Sequence, residues 1–270
     1  MNKFELILRE RMEDVRDEAY GDFVLRLIPE VPRAQILGVR VPEIRSICGY
    51  ALSEIFSSNK GWSKAEAEQL TLAESDGFDA ELYHEMNNFL ADLPHNFLEY
   101  DYAHAEIISR MNNFSECVFE VERFLPYVNN WAVCDTLSPK VFKKNLGEVL
   151  PLVLRWMERK EAFTVRFGTV MMMRYFLDGE FRPEFLEKVV AVSWRAEKEW
   201  TKSEQYYVRM GTAWYFATAL AKQYETTVSI LIEKKLPKWA HNKAIQKACE
   251  SRRVSEGKKE SLRVLRDTTS

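Results

Sequence analysis

The sequence predicts an all-α fold, a solenoid of antiparallel helix pairs, and three observations predict it. Apolar residues recur at helical spacing along almost the whole chain. No run of alternating polar and apolar residues reads as a strand. Glycine and proline are scarce, at 10 and 9 of 270 residues, whereas an all-β fold of this length needs many turn residues. The chain is 46% hydrophobic, enough for a continuous core, and at 29% charged with a net charge of −3 it does not have the profile of a disordered segment.

Taken in order, the elements announce themselves by their ends. The opening segment MNKFELILRERMEDVRDEAY carries charges throughout and has no apolar h-region, so it is not expected to be a secretory signal peptide. Pro42 suits the first turn of a helix, Ser63-x-x-Glu66 reads as a capping box, and Asp76-Gly77 marks a turn. Asn130 reads as an N-cap, which puts Trp131 in the first turn of its helix. Trp131 and Asp135 are then spaced i, i+4 and share one face. Ser138-Pro139 reads as an N-cap followed by proline at the first helical position. From there Phe142, Leu146, Val149, Leu150, Val153, Leu154 and Met157 fall on one helical face, and Pro151 predicts a kink or break near Gly147.

In the second half, Phe163, Phe167, Val170 and Met171 make an apolar stripe, and Arg166 lies off it, directed at a groove. Met171 to Met173 read as core filling. Asp178-Gly179 marks a turn, Pro183 a first turn, and Thr201-x-x-Glu204 a second capping box. Residues 206–222 form a strong helix bearing Tyr206, Tyr207, Trp214, Tyr215 and Phe216, with Gly211 and Ala213 permitting close approach by a neighbour. The last dozen residues read as a helix end and a frayed tail.

Helix pairs recur at roughly 35 to 50 residues, the period of HEAT-like repeats. With no low-complexity linker, residues 1–270 are expected to form a single HEAT-like domain. Such a domain presents a concave surface suited to an elongated ligand, and a capped solenoid is expected as a monomer. Residues 234–270 hold 11 Lys/Arg and 4 Asp/Glu, a local excess of 7 that leaves −10 on the remainder. A basic segment at 234–266 on an acidic body suits a nucleic-acid partner, and equally a solvated last helix pair.

Cys48, Cys117, Cys134 and Cys249 form no CxxC pair and combine with no histidine at zinc-finger spacing. Four scattered thiols predict a reducing, cytoplasmic compartment. No stretch of 18 apolar residues suggests a membrane span. No metal or cofactor is expected. A tryptophan on a helix is most often core, and an aspartate one turn on is often a cap or ion-pair partner. Arg166 likewise suits an ion pair between repeats. From residue types alone, a joint site of these residues stays open.

Five segments, in order, resemble the AlkD-like family of DNA alkylation repair glycosylases: LGVRVPEIRSI at 37–47, the W-x-x-x-D of Trp131 to Asp135, the Arg-bearing VRFGTVMMM, the Trp-bearing MGTAWYFA, and the basic KAIQKACESRRVSEGKKESLRVLR at 243–266. The resemblance covers most of the chain and implies a HEAT-like α-solenoid that grips double-stranded DNA containing alkylated bases. It implies hydrolytic excision of cationic N3- and N7-alkylated purines by cleavage of the N-glycosidic bond. Asp135 would stabilise the oxocarbenium-like sugar, with Trp131 and Trp214 as walls around it. Arg166, Arg209, Lys243, Lys247, Arg252 and Arg253 would contact the DNA.

The chain departs from the family pattern at two positions. Active members carry a lysine one turn before the second tryptophan and an arginine just after it; here Met210 and Ala217 stand there, with Arg209 as a substitute for one. The alternatives that follow are a family member that binds damaged or branched DNA without excision, and a protein-interaction scaffold.

Overall fold

The structure, a computed structural model, describes residues 2–56 and 80–268. The Ser63–Glu66 capping box and the Asp76-Gly77 turn lie outside the described residues. Among the described residues the fold is all-α, with fourteen α-helices and no strand. They divide into two compact units, Met1–Asn145 and Leu146–Ser270.

The first unit contains α1 (Lys3–Asp14), α2 (Glu18–Leu27), α3 (Val41–Phe56), α4 (Ala80–Ala91), α5 (Leu98–Arg110), α6 (Phe114–Phe124) and α7 (Trp131–Thr136). Single 3-10 turns lie at Arg33–Gln35, Leu125–Tyr127 and Lys140–Lys144. Short polar residues start several of these helices. Asn2 accepts from the Glu5 amide at 2.7 Å, Asp17 from Tyr20 at 3.0 Å, and Asn113 from Glu116 at 3.1 Å. Each cap contributes about 1 kcal/mol. Phe4, Leu8 and Met12, one turn apart, bury the inner face of α1 against α3 and α4. Further along, α3 packs on α5 and α5 on α7.

One buried carboxylate fixes the entry to α3. Glu99 of α5 is 1% exposed and accepts from the backbone amides of Leu37 at 2.9 Å, Gly38 at 2.8 Å and Val39 at 3.2 Å. Gly38 has φ +91, and a Cβ there would lie 2.1 Å from the Asp17 carbonyl oxygen, so only glycine fits this loop.

The second unit contains α8 (Leu146–Met157), α9 (Ala162–Tyr175), α10 (Glu184–Arg195), α11 (Lys202–Lys222), α12 (Tyr224–Ile232), α13 (Lys238–Glu250) and α14 (Glu256–Val264). Here α9, α11 and α13 pack on one another in sequence, while α10 and α12 lie on α11, and α14 on α13. Alternate helices thus form a central layer, the arrangement of stacked helix pairs. The burial pattern follows: α9 is buried on every face from Ala162 to Met173, whereas α8 buries only the stripe Val149, Val153, Trp156 and Met157. Gly168 lets α8 and α9 approach closely, since a Cβ there would lie 2.9 Å from the Met157 amide nitrogen.

Several expected ends are where the sequence put them. Thr201 and Glu204 form a reciprocal capping box, and Pro42 is in the first turn of α3. Two differ. Ser138-Pro139 opens a 3-10 turn, Lys140–Lys144, rather than an α-helix, and the Ser138 amide donates to Ser109 Oγ at 2.8 Å. Pro151 lies inside α8, and the break precedes it at Asn145.

Candidate functional site

In the first unit the site is built on α7. Asn130, 1% exposed, accepts from the amides of Ala132 at 3.1 Å and Val133 at 2.9 Å, so the helix starts at Trp131 as its cap predicts. Val133, Cys134 and Leu137 face the core. Trp131 and Asp135, one turn apart, are each half-buried. Trp131 Nε1 donates to the carbonyl of Leu27, the last residue of α2, at 3.2 Å. That bond holds the indole by its edge and satisfies a helix-end carbonyl.

Tyr102 of α5 is a neighbour that sequence reasoning missed. Burial pushes its phenol well above the ordinary range, and the charges of Tyr20, Glu99 and Asp135 push it further. The hydroxyl therefore stays protonated at any physiological pH, a neutral donor in the field of the Asp135 carboxylate. Its signal lay in α5 packing on α7, a contact between distant segments.

In the second unit the half-buried Trp214 lies on α11. Tyr206, Met210 and Trp214 are spaced at i, i+4 and i+8 on that helix. On α13, Trp239, Lys243 and Lys247 repeat the spacing. The two rows meet where the Tyr206 and Trp239 rings lie 6.1 Å apart, edge to face. Lys243 Nζ donates to Gln246 Oε1 at 3.0 Å, and Arg252 and Arg253 are exposed just beyond α13. An accessible aromatic row beside lysines can stack on nucleic-acid bases or sugars and meet phosphates. Tyr206 and Trp239 were not among the expected contacts; their i+4 registers with Met210 and Lys243 were the available signal.

Arg166 does not face a groove. It is 6% exposed, and its Nη1 donates to the Tyr207 carbonyl at 2.7 Å. A buried guanidinium must find acceptors, and α11 supplies one where Gly211 leaves room: a Cβ there would sit 3.5 Å from Arg166. The side chain locks α9 to α11 instead of meeting solvent. Arg209, expected to replace a missing cation, pairs with Glu197 at 2.8 Å. Ala217 is 5% exposed, a packed position.

Cys134 is buried and in no disulfide, and Cys48 and Cys117 are buried free thiols that burial pushes up to about 12. They are inert as nucleophiles at neutral pH. Among the described residues no helix is long and apolar enough to cross a membrane.

Residues 77–250 match the family described as DNA alkylation repair enzyme. No curated protein and no solved structure gives a significant match.

Proposed function

Starting from the chain's membership of the DNA alkylation repair enzyme family, we propose that it is a DNA glycosylase that removes cationic N3- and N7-alkylated purines from duplex DNA. The family places it among repair enzymes acting on alkylated DNA; the glycosylase step is our reading of the site. The single observation that carries it is the half-buried pair Trp131 and Asp135 on the face of a capped helix.

The chemistry asks little of the protein. An alkylpurine already bears a positive charge, so the C1′–N bond can break without a general acid. The bonding pair moves to the purine nitrogen and neutralises it, and an oxocarbenium-like sugar remains. The Asp135 carboxylate stabilises that cation and orients a water, which adds to C1′ and releases a proton. The products are a free alkylpurine and an abasic site. Trp131, held by its bond to Leu27, walls the sugar and attracts its positive charge. The second unit contributes duplex contacts through Trp214, Trp239, Lys243, Lys247, Arg252 and Arg253. The chain works as a monomer in the reducing cytoplasm, where its buried thiols stay free.

The test is release of free 7-methylguanine or 3-methyladenine from methylated duplex DNA. Wild type releases base, and Asp135→Asn, which keeps the shape and loses the charge, slows release about 100-fold or more. A variant as active as wild type would remove Asp135 from the mechanism. Met210 and Ala217 favour a second reading, a family member that binds damaged DNA without excision. Salt-sensitive duplex binding with no base release at micromolar protein identifies that case.

A further inference from the structure

We infer that a cleft of about 500 Å³ within the first unit is a phosphodiester subsite that holds the DNA-strand phosphate beside the sugar at Asp135. Its place beside a lesion sugar rests on the glycosylase reading; its ligand class rests on the cleft itself.

The cleft carries net positive charge. Arg45, Arg110 and Lys140 line the cleft against one carboxylate, Glu106. Both Glu106 oxygens are engaged: Oε1 accepts from Arg110 Nε at 2.8 Å, and Oε2 lies 3.4 Å from Arg45 Nε. Two positive charges remain uncompensated within a concave surface, which selects an anion. Pro42 and Ser46 bring the first two turns of α3 to the same wall, and the positive end of that helix adds to the field.

The arginine pair is pre-organised. Arg110 is 14% exposed at its side chain and also donates through Nη2 to the Arg45 carbonyl at 3.1 Å. Its Nη1 is buried with no hydrogen-bond partner. That nitrogen packs against Gly49 of α3, where a Cβ would lie 3.2 Å from it, so Arg110 is a fixed positive charge in the cleft wall. The hydroxyl of Thr136, which also lines the cleft, donates to the Ala132 carbonyl at 2.9 Å, so an anion there is held by Arg45, Arg110 and Lys140 rather than by this hydroxyl.

Tyr102, Glu106, Ser109 and Arg110 fall at i, i+4, i+7 and i+8 on α5, one face of the helix. Tyr102 lies in the field of Asp135, and the cleft opens about one helical turn, roughly 5.4 Å, further along. Thr136, a cleft residue, directly follows Asp135 in the chain. A strand whose sugar meets Asp135 therefore carries its neighbouring phosphate to the cleft. The charged lining of the cleft excludes an apolar ligand.

Lys140 gives the cleanest test, because it is exposed at the end of the cleft in the Lys140–Lys144 turn. Duplex binding is followed by fluorescence anisotropy over a series of sodium chloride concentrations for wild type, Lys140→Gln and Arg45→Gln, with melting by circular dichroism to show that each variant is folded. The expected result for Lys140→Gln is about tenfold weaker binding, equal on methylated and unmodified duplex. Its log–log salt slope falls by about one. An unchanged slope and affinity in a folded variant overturns the proposal, as does a wild type that binds no duplex. In a second arm, inorganic phosphate is compared with chloride at equal ionic strength by thermal shift. A phosphate-specific stabilisation lost in Lys140→Gln, with the DNA slope unchanged, assigns the cleft to free phosphate and also overturns it. Failure of the glycosylase reading shows separately, as intact duplex binding without purine release; the reduced slope then still supports the cleft as a phosphodiester site.

Discussion

Glu99 shows how much one side chain settles. Its carboxylate serves three consecutive backbone amides that have no helix or strand to pair with. Glu99→Gln turns one acceptor oxygen into a donor facing those amides and is expected to cost about 3 kcal/mol, read as a lower urea midpoint with unchanged slope. Its neighbour Asp101 makes the first unit sensitive to pH. Burial, then the charge of Glu99, raises the Asp101 carboxyl to about 7. Between its ordinary value near 4 and about 7 the folded state keeps a proton that the unfolded chain has released. The contribution of Asp101 is therefore complete in acid and is lost as pH rises through that window. His95 acts in the opposite sense: burial lowers it to about 4, so stability falls as pH drops from about 6.5 toward 4. Asp101→Asn is expected to abolish the alkaline-side loss, seen as a flatter stability profile between pH 5 and 8 in denaturant titrations. At this scale, what was legible in the sequence was local. Asn130, Trp131 and Asp135 sit within one turn and a half, so a cap and an i, i+4 spacing place them. The burial of Arg166 depends on a carbonyl at Tyr207, and the amides that Glu99 serves lie about 60 residues away. Neither dependence leaves a mark on nearby residue types.

At the scale of elements, helix ends were read better than helix interiors. The Thr201 capping box was visible because both partners are three residues apart. Pro151 stays inside α8 because its cost there is low. Proline removes a bond to the Gly147 carbonyl, but Gly147 and Pro151 are both exposed, so water can serve that oxygen. The helix can begin at Leu146 and still turn Val149, Val153, Trp156 and Met157 inward. The end of α12 carries a strain of its own. Lys235 N donates to the Ile230 carbonyl and Lys234 N to that of Leu231, the pattern that closes a helix with a left-handed residue. Lys234 fills that position with φ 51, where glycine is usual. Lys234→Gly is expected to raise stability by about 1 kcal/mol, seen as a higher melting temperature; a lower one would mean that the lysine side chain matters more than its backbone.

For the whole molecule, fold class was legible almost entirely, because periodicity and the scarcity of turn residues act along the full chain. The candidate site could be named in advance only at Trp131, Asp135 and Trp214, the residues that carry the family resemblance. It was not legible at Tyr102, at the Arg45–Glu106–Arg110 cluster, or at the Tyr206–Trp239 pair, all of which arise from helices meeting across sequence. In the proposed mechanism the substrate's own positive charge drives departure of the base, and the protein would supply only a carboxylate, aromatic walls and phosphate contacts. The most direct measurement is single-turnover release of 7-methylguanine from methylated duplex DNA by wild type and Asp135→Asn, with duplex affinity measured in parallel. Release by wild type, a loss of about 100-fold or more in the variant, and closely similar affinities are expected. Equal rates in the two proteins, or tight duplex binding by wild type with no purine released, would contradict the proposed mechanism.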